Sequence, residues 1–122
     1  MRFLIVDDSS TMRRIIMNTL NKLGHQDFVE ASNGREGIDR LGTGAIDMII
    51  TDWNMPEMNG IDFIKAVRGA TTSKDVPVLM VTTNAAKDDI VEALRAGVNN
   101  YVVKPFTAET IKEKIDAVLA AK

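Results

Sequence analysis

The sequence predicts an α/β fold in which helices cover both faces of a parallel β-sheet. Short apolar runs recur along the 122 residues, and each run is followed by a longer segment with apolar residues at helical spacing. The two patterns alternate five times, which gives the element order (βα)5. Such regular alternation indicates a doubly wound parallel sheet with right-handed crossovers, arranged as a three-layer sandwich.

The first 69 residues are predicted to hold three strands and three helices. The strands are expected at Phe3–Val6, around Phe28 and Val29, and at Ile46–Thr51. A cap among Ser9, Ser10 and Thr11 should begin the first helix, because short hydroxyl side chains accept the free N–H groups of a first turn. The apolar stripe of that helix is Met12, Ile15, Ile16, Thr19, Leu20 and Leu23, with Gly24 as its stop. The second helix runs from Asn33 to Leu41, and the third from Ile61 to Gly69.

The remaining chain is predicted to supply two strands and two helices. The fourth strand is expected at Val76–Thr82, with Pro77 tolerated near its start, and the fifth at Tyr101–Val103. A helix over Ala85–Ala96 carries Ile90, Val91 and Leu94 on one side and ends at Gly97. Thr107 should cap the last helix, whose stripe is Ile111, Ile115, Val118 and Leu119.

Composition narrows the class of protein. At 122 residues the chain is expected to form one domain. The net charge of -2 gives no basic field for nucleic acid, and no apolar run approaches the length of a membrane span. The absence of cysteine excludes thiolate chemistry and Cys-ligated zinc. A soluble, cytoplasmic protein with no nucleic-acid or membrane partner is therefore expected.

Polar residues that can bind metals or take part in catalysis lie at the ends of four predicted strands. Asp7 and Asp8 follow the first strand, Asp52 follows the third, Thr82 ends the fourth and Lys104 follows the fifth. The carboxyl ends of parallel strands open on one edge of the sheet, which is where α/β sheets bind ligands. We therefore expect these five residues to lie together.

Three neighbouring carboxylates repel one another unless a cation lies among them. Their hard oxygen ligands suit Mg²⁺, which takes one or two protein carboxylates together with phosphate oxygens and water. Lys104 would pair with Asp52 before the transfer and with a phosphoryl oxygen after it. The Thr82 hydroxyl could donate a hydrogen bond to another phosphoryl oxygen. This set of groups predicts phosphoryl transfer to a carboxylate nucleophile.

Other chemistries find less support in the sequence. Neither GxxxxGK[ST] nor GxGxxG occurs, and the one histidine, His25, lies in a turn away from the predicted edge, where a solvated side chain is expected. A Mg²⁺-dependent phosphatase of the haloacid dehalogenase type shares the Asp nucleophile, the Lys and the metal. Those enzymes have a D-x-D-x-T pattern after the first strand, whereas this strand is followed by DDSST. They also usually carry a cap domain, for which 122 residues leave no room.

Four segments together carry a family resemblance: LIVDDSSTMRR, ITDWNMPEMNG, PVLMVTT and AGVNNYVVKPF. With the final helix they make the whole chain resemble the receiver domain of two-component response regulators, most closely the single-domain chemotaxis branch. The resemblance implies one receiver domain over residues 1–122 without an output domain. It also implies a flavodoxin-like sheet with strand order 2-1-3-4-5.

The resemblance further implies roles for the residues at the sheet edge. Asp52 would accept a phosphoryl group from a chemotaxis sensor histidine kinase. Mg²⁺ would be bound by Asp8 directly, by Asp7 through water, and by Asp52 and the backbone carbonyl of Asn54. Lys104 would hold the phosphoryl group, and its bond to Pro105 would be cis. On activation Thr82 would move toward the phosphoryl group, and Tyr101 would turn from an exposed to a buried rotamer.

The same resemblance implies a signalling switch and not an enzyme with a separate substrate. An outward-facing surface of Lys87, Ile90, Tyr101 and Lys114 would bind a helical segment of the flagellar motor switch protein. A monomer is expected.

The alternative is a receiver that serves a phosphorelay or another client. The resemblance implies that Asn54 and Asn84 would flank the route of an attacking water. Asn84 departs from the acidic residue of the best-known chemotaxis regulators, so the phosphoryl lifetime stays open. The sequence also leaves open the cognate kinase, a phosphatase partner and the direction of the motor response.

Overall fold

Strands and helices alternate throughout the chain, as predicted. The structure is a computed structural model that describes residues 1–71, 73–83 and 86–120. Within these ranges the strands are β1 (Arg2–Val6), β2 (Asp27–Ala31), β3 (Met48–Thr51), β4 (Val78–Thr82) and β5 (Asn100–Val103). The helices are α1 (Ser10–Lys22), α2 (Gly34–Leu41), α3 (Gly60–Gly69), α4 (Lys87–Ala96) and α5 (Ala108–Ala120). None of these helices has both the length and the apolar character that a membrane span requires.

The strands form one parallel sheet in the order β2-β1-β3-β4-β5, which confirms the predicted flavodoxin-like fold. The chain winds to one side of β1 through β2 and to the other side through β3. The carboxyl ends of β1 and β3 therefore form the topological switch point, where ligand sites of such sheets lie. The rule that ligands bind at a topological switch point was itself derived from folds that include this strand order.

Both faces of the sheet are buried under helices. Alternate residues of each strand point to opposite faces, so Leu4 and Val6 pack in one core while Phe3 and Ile5 pack in the other. The first core includes residues of α3 and α4, and the second includes residues of α1 and α5. Burial on both faces explains why β1, β3 and β4 appear in the sequence as continuous apolar runs.

Side-chain caps fix where several helices begin. Ser9, Asn33 and Asn59 each accept a hydrogen bond from a backbone N–H in the first turn of α1, α2 and α3. Thr107 does the same for the N–H of Thr110 at α5, as predicted. At the other end of a helix, Gly97 adopts a left-handed conformation with φ of 116°, which only glycine takes without strain and which ends α4.

Some predicted boundaries and faces were wrong. β3 begins at Met48 and not at Ile46, and β4 begins after Pro77, whose ring has no N–H for the sheet. Ala85, the predicted start of α4, lies outside the described residues. Ile15 and Leu94 were placed on apolar stripes but are 44% and 45% exposed, because each helix buries a narrower strip than its apolar pattern suggests.

His25 also differs from expectation. Its ring packs against Phe3 with the ring centroids 4.8 Å apart, so it is half-buried and not simply solvated. Phe3 lies near the amino end of β1, and the histidine is therefore distant from the carboxyl edge of the sheet, as predicted.

Arg68 ties the ends of several elements together at the amino edge of the sheet. From the last turn of α3, its guanidinium donates to the carbonyls of Gly97, Val76 and Lys74 and to the side chain of Asn99, over 2.6–3.1 Å. Burial lowers the pKa of this guanidinium, which nevertheless stays charged at any ordinary pH. One side chain thus joins α3, the segment before β4 and the end of α4.

Replacement of Arg68 by Met should lower the free energy of unfolding by roughly 2–4 kcal/mol, because several carbonyl oxygens lose a charged donor. Urea unfolding followed by circular dichroism measures this change. Lys65→Met, on the exposed side of the same helix, is the matched control and should change stability by less than about 0.5 kcal/mol. Equal effects from the two substitutions would contradict the role assigned to Arg68.

Candidate functional site

The carboxyl ends of β1 and β3 bring three aspartates together. Val6 pairs with Thr51 in the parallel register, so the residues that follow these strands are neighbours. The backbone N–H of Asp52 donates to the carbonyl of Val6 over 2.8 Å, which holds the two strand ends side by side. One carboxylate oxygen from each of Asp7, Asp8 and Asp52 lies within 4.8 Å of the others.

The three carboxylates differ in exposure. Asp7 is 1% exposed and Asp52 is 8% exposed, whereas Asp8 is open to solvent. Burial raises the pKa of Asp7, and the negative charge of Asp52 raises it further. A hydrogen bond from the backbone N–H of Ser9 and the charge of Lys104 act in the opposite direction. The ionised form of Asp7 is therefore destabilised by its surroundings.

Lys104 supplies the positive charge at the centre of the site. Its Nζ lies 3.4 Å from a carboxylate oxygen of Asp7 and 3.4 Å from one of Asp52. The predicted pairing with Asp52 is therefore present, and Asp7 shares it. The peptide bond between Lys104 and Pro105 is cis, also as predicted.

Thr82 lies at the end of β4, next to the strand that carries the lysine. It is 2% exposed, and its carbonyl accepts the backbone N–H of Lys104 over 2.8 Å. The structure thus places the predicted hydroxyl and the predicted cation on hydrogen-bonded neighbouring strands.

The loop after β3 fixes the position of Asp52. The N–H of Trp53 donates to Oδ1 of Asp52 over 2.7 Å, and the N–H of Gly60 donates to the carbonyl of Trp53 over 2.7 Å. A Cβ at Gly60 would collide with the carbonyl oxygen of Asp52 and would lie 2.8 Å from the Cα of Trp53. The sequence suggested a turn at Gly60, but the glycine begins α3 and allows that helix to approach the strand end closely.

The donor set fits a small divalent cation. Asp7, Asp8 and Asp52 offer hard oxygen ligands from two adjacent strand ends, and these aspartates form the one group of potential metal ligands found among the described residues. Destabilised negative charge on buried Asp7 favours a cation beside it. Asn54, whose carbonyl was predicted as a further ligand, is an exposed residue two positions beyond Asp52.

The residues predicted to face a partner differ in exposure. Lys87 is exposed, whereas Ile90, Tyr101 and Lys114 are half-buried. The Nζ of Lys114 lies 5.7 Å from the centre of the Tyr101 ring, within the range of a cation–π contact. Tyr101 also packs against the first core, so the expectation of an exposed ring was only partly right. Asn84, predicted to affect phosphoryl lifetime, lies outside the described residues.

The sequence interpretation assigned no role to Arg13. Its Nη1 donates to the carbonyl of Asp7 over 2.6 Å, and its Nε donates to the Glu30 carboxylate over 2.9 Å. The sequence did contain a signal for this contact. Ser9, the cap of α1, lies two residues after Asp7, and helical geometry places Arg13 one turn beyond Ser9. The partner Glu30 lies on β2 and has no comparable local signal.

Comparisons with known proteins point to one family. The sequence model of the response regulator receiver domain matches residues 3–116. The chain is 53% identical over 120 residues to chemotaxis protein CheY1 of Helicobacter pylori, with 98% of this chain and 97% of the relative covered. It is 54% identical over 118 residues to chemotaxis protein CheY of Pseudomonas aeruginosa, with 97% and 95% covered.

A solved structure also resembles this fold closely. That of the chemotaxis response regulator CheY4 of Vibrio cholerae has a TM-score of 0.88 at 36% identity, with 96% of this chain and 97% of that chain covered. Together these matches confirm the family resemblance carried by the four sequence segments.

Replacement of Asp7 by Asn should stabilise the protein in buffer without divalent cations, by about 1 kcal/mol at neutral pH. The native pKa of Asp7 is raised, so the native state is favoured while the carboxyl is protonated and loses stability as the pH rises through that native value. The gain in Asp7→Asn should therefore be small in mild acid and should grow toward neutral pH. Urea unfolding at several pH values measures it.

The matched control is Asp39→Asn, an exposed aspartate on α2. It should leave stability unchanged at every pH. A gain in Asp7→Asn that does not depend on pH would show that the carboxylate charge is not its cause.

Proposed function

The chain belongs to the response regulator receiver family, and from that membership we propose that it is a chemotaxis response regulator activated by phosphorylation of Asp52. The observation that carries this proposal is the meeting of Asp52, two further aspartates and Lys104 at one sheet edge. A sensor histidine kinase of the chemotaxis system is the proposed phosphodonor. A cytoplasmic location and a monomeric state stay predictions.

The residues at this edge can divide the work of phosphoryl transfer. A carboxylate oxygen of Asp52 would attack phosphorus, and the phosphohistidine nitrogen would leave. Lys104, already between two carboxylates, would contact a phosphoryl oxygen without crossing the site. Mg²⁺ bound by Asp7, Asp8, Asp52 and the carbonyl of Asn54 would neutralise charge on the phosphoryl oxygens.

Phosphorylation would then shift an equilibrium between two conformations. It adds close to two negative charges and three acceptor oxygens at the end of β3. Lys104 and the Thr82 hydroxyl would gain bonds in only one of the conformations, and the modified protein would favour it. Because the Lys104 N–H is bonded to Thr82, the ends of β4 and β5 would respond together.

We propose a switch and not an enzyme that acts on a separate substrate, since the group transferred ends on the protein's own aspartate. The phosphatase alternative of the haloacid dehalogenase type is not favoured by the family. It would regain support if the protein rapidly turned over many phosphate esters.

Treatment with a small phosphodonor and Mg²⁺ should add one phosphoryl group, stable to acid and labile to base, as expected of an acyl phosphate. Asp52→Asn should abolish the addition, because the nucleophile is lost. Intact-protein mass spectrometry and peptide mapping measure both results. Asp62→Asn, at an exposed aspartate in the first turn of α3, is the control and should be labelled like the wild type. Undiminished labelling of Asp52→Asn would refute the assignment.

The finer part of the proposal concerns the partner. The predicted partner residues Lys87, Ile90, Tyr101 and Lys114 form what we call the α4–β5–α5 surface. It combines two basic side chains with an aromatic ring and a half-buried isoleucine. This mixture suits an amphipathic helical segment with acidic residues at its edge. We propose that the flagellar motor switch protein provides that segment and that phosphorylation of Asp52 strengthens the interaction.

A peptide of the motor switch protein should bind the phosphorylated protein on the order of tenfold more tightly than the unmodified one, a typical size for coupling between two sites. Tyr101→Ala should remove most of this gain, because it removes the one aromatic ring of the surface and the group that Lys114 contacts. Fluorescence anisotropy of a labelled peptide measures both affinities. Lys112→Ala is the control, since that lysine is exposed on α5 and pairs with Asp116 of the same helix.

A receiver that serves a phosphorelay predicts a different outcome. Phosphorylation would not change the affinity for the motor peptide, and the phosphoryl group would pass from Asp52 to the histidine of a phosphotransfer protein. That pair of results would overturn the motor assignment and retain the receiver.

A further inference from the structure

We propose that Arg13 is a positioning residue that fixes the peptide between Asp7 and Asp8 and thereby increases the affinity of the acidic site for a divalent cation. This inference rests on the proposed function, because it concerns the same site. It assigns a role to a side chain on α1 that is not itself a ligand.

The contacts of Arg13 lead from β2 through α1 to the acidic site. Nη1 donates to the carbonyl of Asp7 over 2.6 Å, and Nε donates to the carboxylate of Glu30 over 2.9 Å. The Arg13 side chain is only 15% exposed, whereas that of Glu30 is 47% exposed. Two nitrogens of the guanidinium are thus hydrogen-bonded. The bond from Nε to Glu30 fixes the direction in which Nη1 points toward Asp7.

The bond to the Asp7 carbonyl acts on Asp8 through the geometry of the peptide. The carbonyl of Asp7 and the N–H of Asp8 belong to one planar unit, so a fixed carbonyl also fixes the direction in which the chain enters Asp8. The other side of Asp7 is already held, since its N–H donates to Ala31 and its Oδ1 accepts the N–H of Ser9. Asp8 is exposed and needs this constraint more than buried Asp7 does.

The positive charge of Arg13 should weaken cation binding, whereas its positioning role should strengthen it. The two effects therefore predict opposite changes in affinity when the residue is removed. A guanidinium near the site repels a divalent ion, although Glu30 offsets part of that charge. If Arg13 acted by its charge alone, its removal would strengthen cation binding. If it acts by fixing the peptide, its removal weakens binding, as loss of groups that orient metal ligands does elsewhere.

Mg²⁺ titration of the full chain distinguishes these effects. The single tryptophan, Trp53, adjoins Asp52, whose carboxylate accepts its backbone N–H, so its fluorescence serves as the probe, with calorimetry as a second readout. Arg13→Gln should weaken Mg²⁺ binding on the order of tenfold. Arg13→Lys keeps the charge but loses the fork, and it should bind with intermediate affinity. Arg14→Gln, exposed on the same helix, is the matched control and should bind like the wild type.

The outcomes separate this inference from the proposed function. Unchanged or tighter Mg²⁺ binding by Arg13→Gln, with normal binding by the wild type, would overturn the role of Arg13 alone. A wild type that does not bind Mg²⁺ would overturn the proposed function and this inference with it. Urea unfolding of each variant shows whether stability and affinity change separately, since a purely structural role would alter stability without altering the affinity of the folded protein.

A second variant keeps the test decisive if Arg13→Gln does not fold. Glu30→Asp retains the guanidinium and both charges but shortens the side chain that orients Arg13, so charge alone predicts no change. It should weaken Mg²⁺ binding by roughly threefold, less than loss of the arginine itself. If Glu30→Asp binds Mg²⁺ as the wild type does, the positioning role is refuted.

Discussion

The ion pairs of Lys104 are the interaction on which the site depends. Its ammonium group lies 3.4 Å from both Asp7 and Asp52, and without it two largely buried carboxylates would face each other across adjacent strand ends. The cation does not fully compensate, because the pKa of Asp7 stays raised by burial and by the charge of Asp52. Negative charge therefore remains at the sheet edge. The same imbalance that costs stability makes the edge attractive to a divalent cation.

This interaction also joins distant parts of the chain. Lys104 follows β5 at one side of the sheet, whereas its two partners follow β1 and β3 near the centre. The ammonium group reaches across the end of β4, where the carbonyl of Thr82 holds the lysine backbone. A change of charge at Asp52 therefore acts on β4 and β5 through one side chain. Tyr101, one residue of the proposed partner surface, lies three residues before that lysine.

The sequence predicted what strand periodicity and helix caps determine. Runs such as Phe3–Val6 can only be buried on both faces, and residues after parallel strands must share an edge, so the α/β class and the meeting of Asp7, Asp52 and Lys104 followed. The strand order came from the family resemblance. Long-range polar contacts could not be predicted. Arg68 looks like any helical arginine in the sequence, and its role arises from backbone carbonyls that the fold brings near. The position of Arg13 near the cap of α1 was a local signal, but its pairing with Glu30 on β2 has none. Leu94 was misplaced because helical periodicity gives a face but not the width of its contact.

The two ends of α4 are held with unequal strength, and this bears on how the proposed switch would move. At the carboxyl end, Gly97 accepts two hydrogen bonds from Arg68, and the N–H of Asn99 is bonded to Val78. At the amino end the cap is Ala86, which has no side-chain oxygen to accept an N–H, and acidic residues in the first turn give only a favourable dipole interaction. Displacing the amino-terminal turn therefore costs less free energy than displacing the other end. That turn is the first of α4 after Thr82 along the chain, so a rearrangement at the proposed phosphorylation site would displace α4 at its less firmly held end.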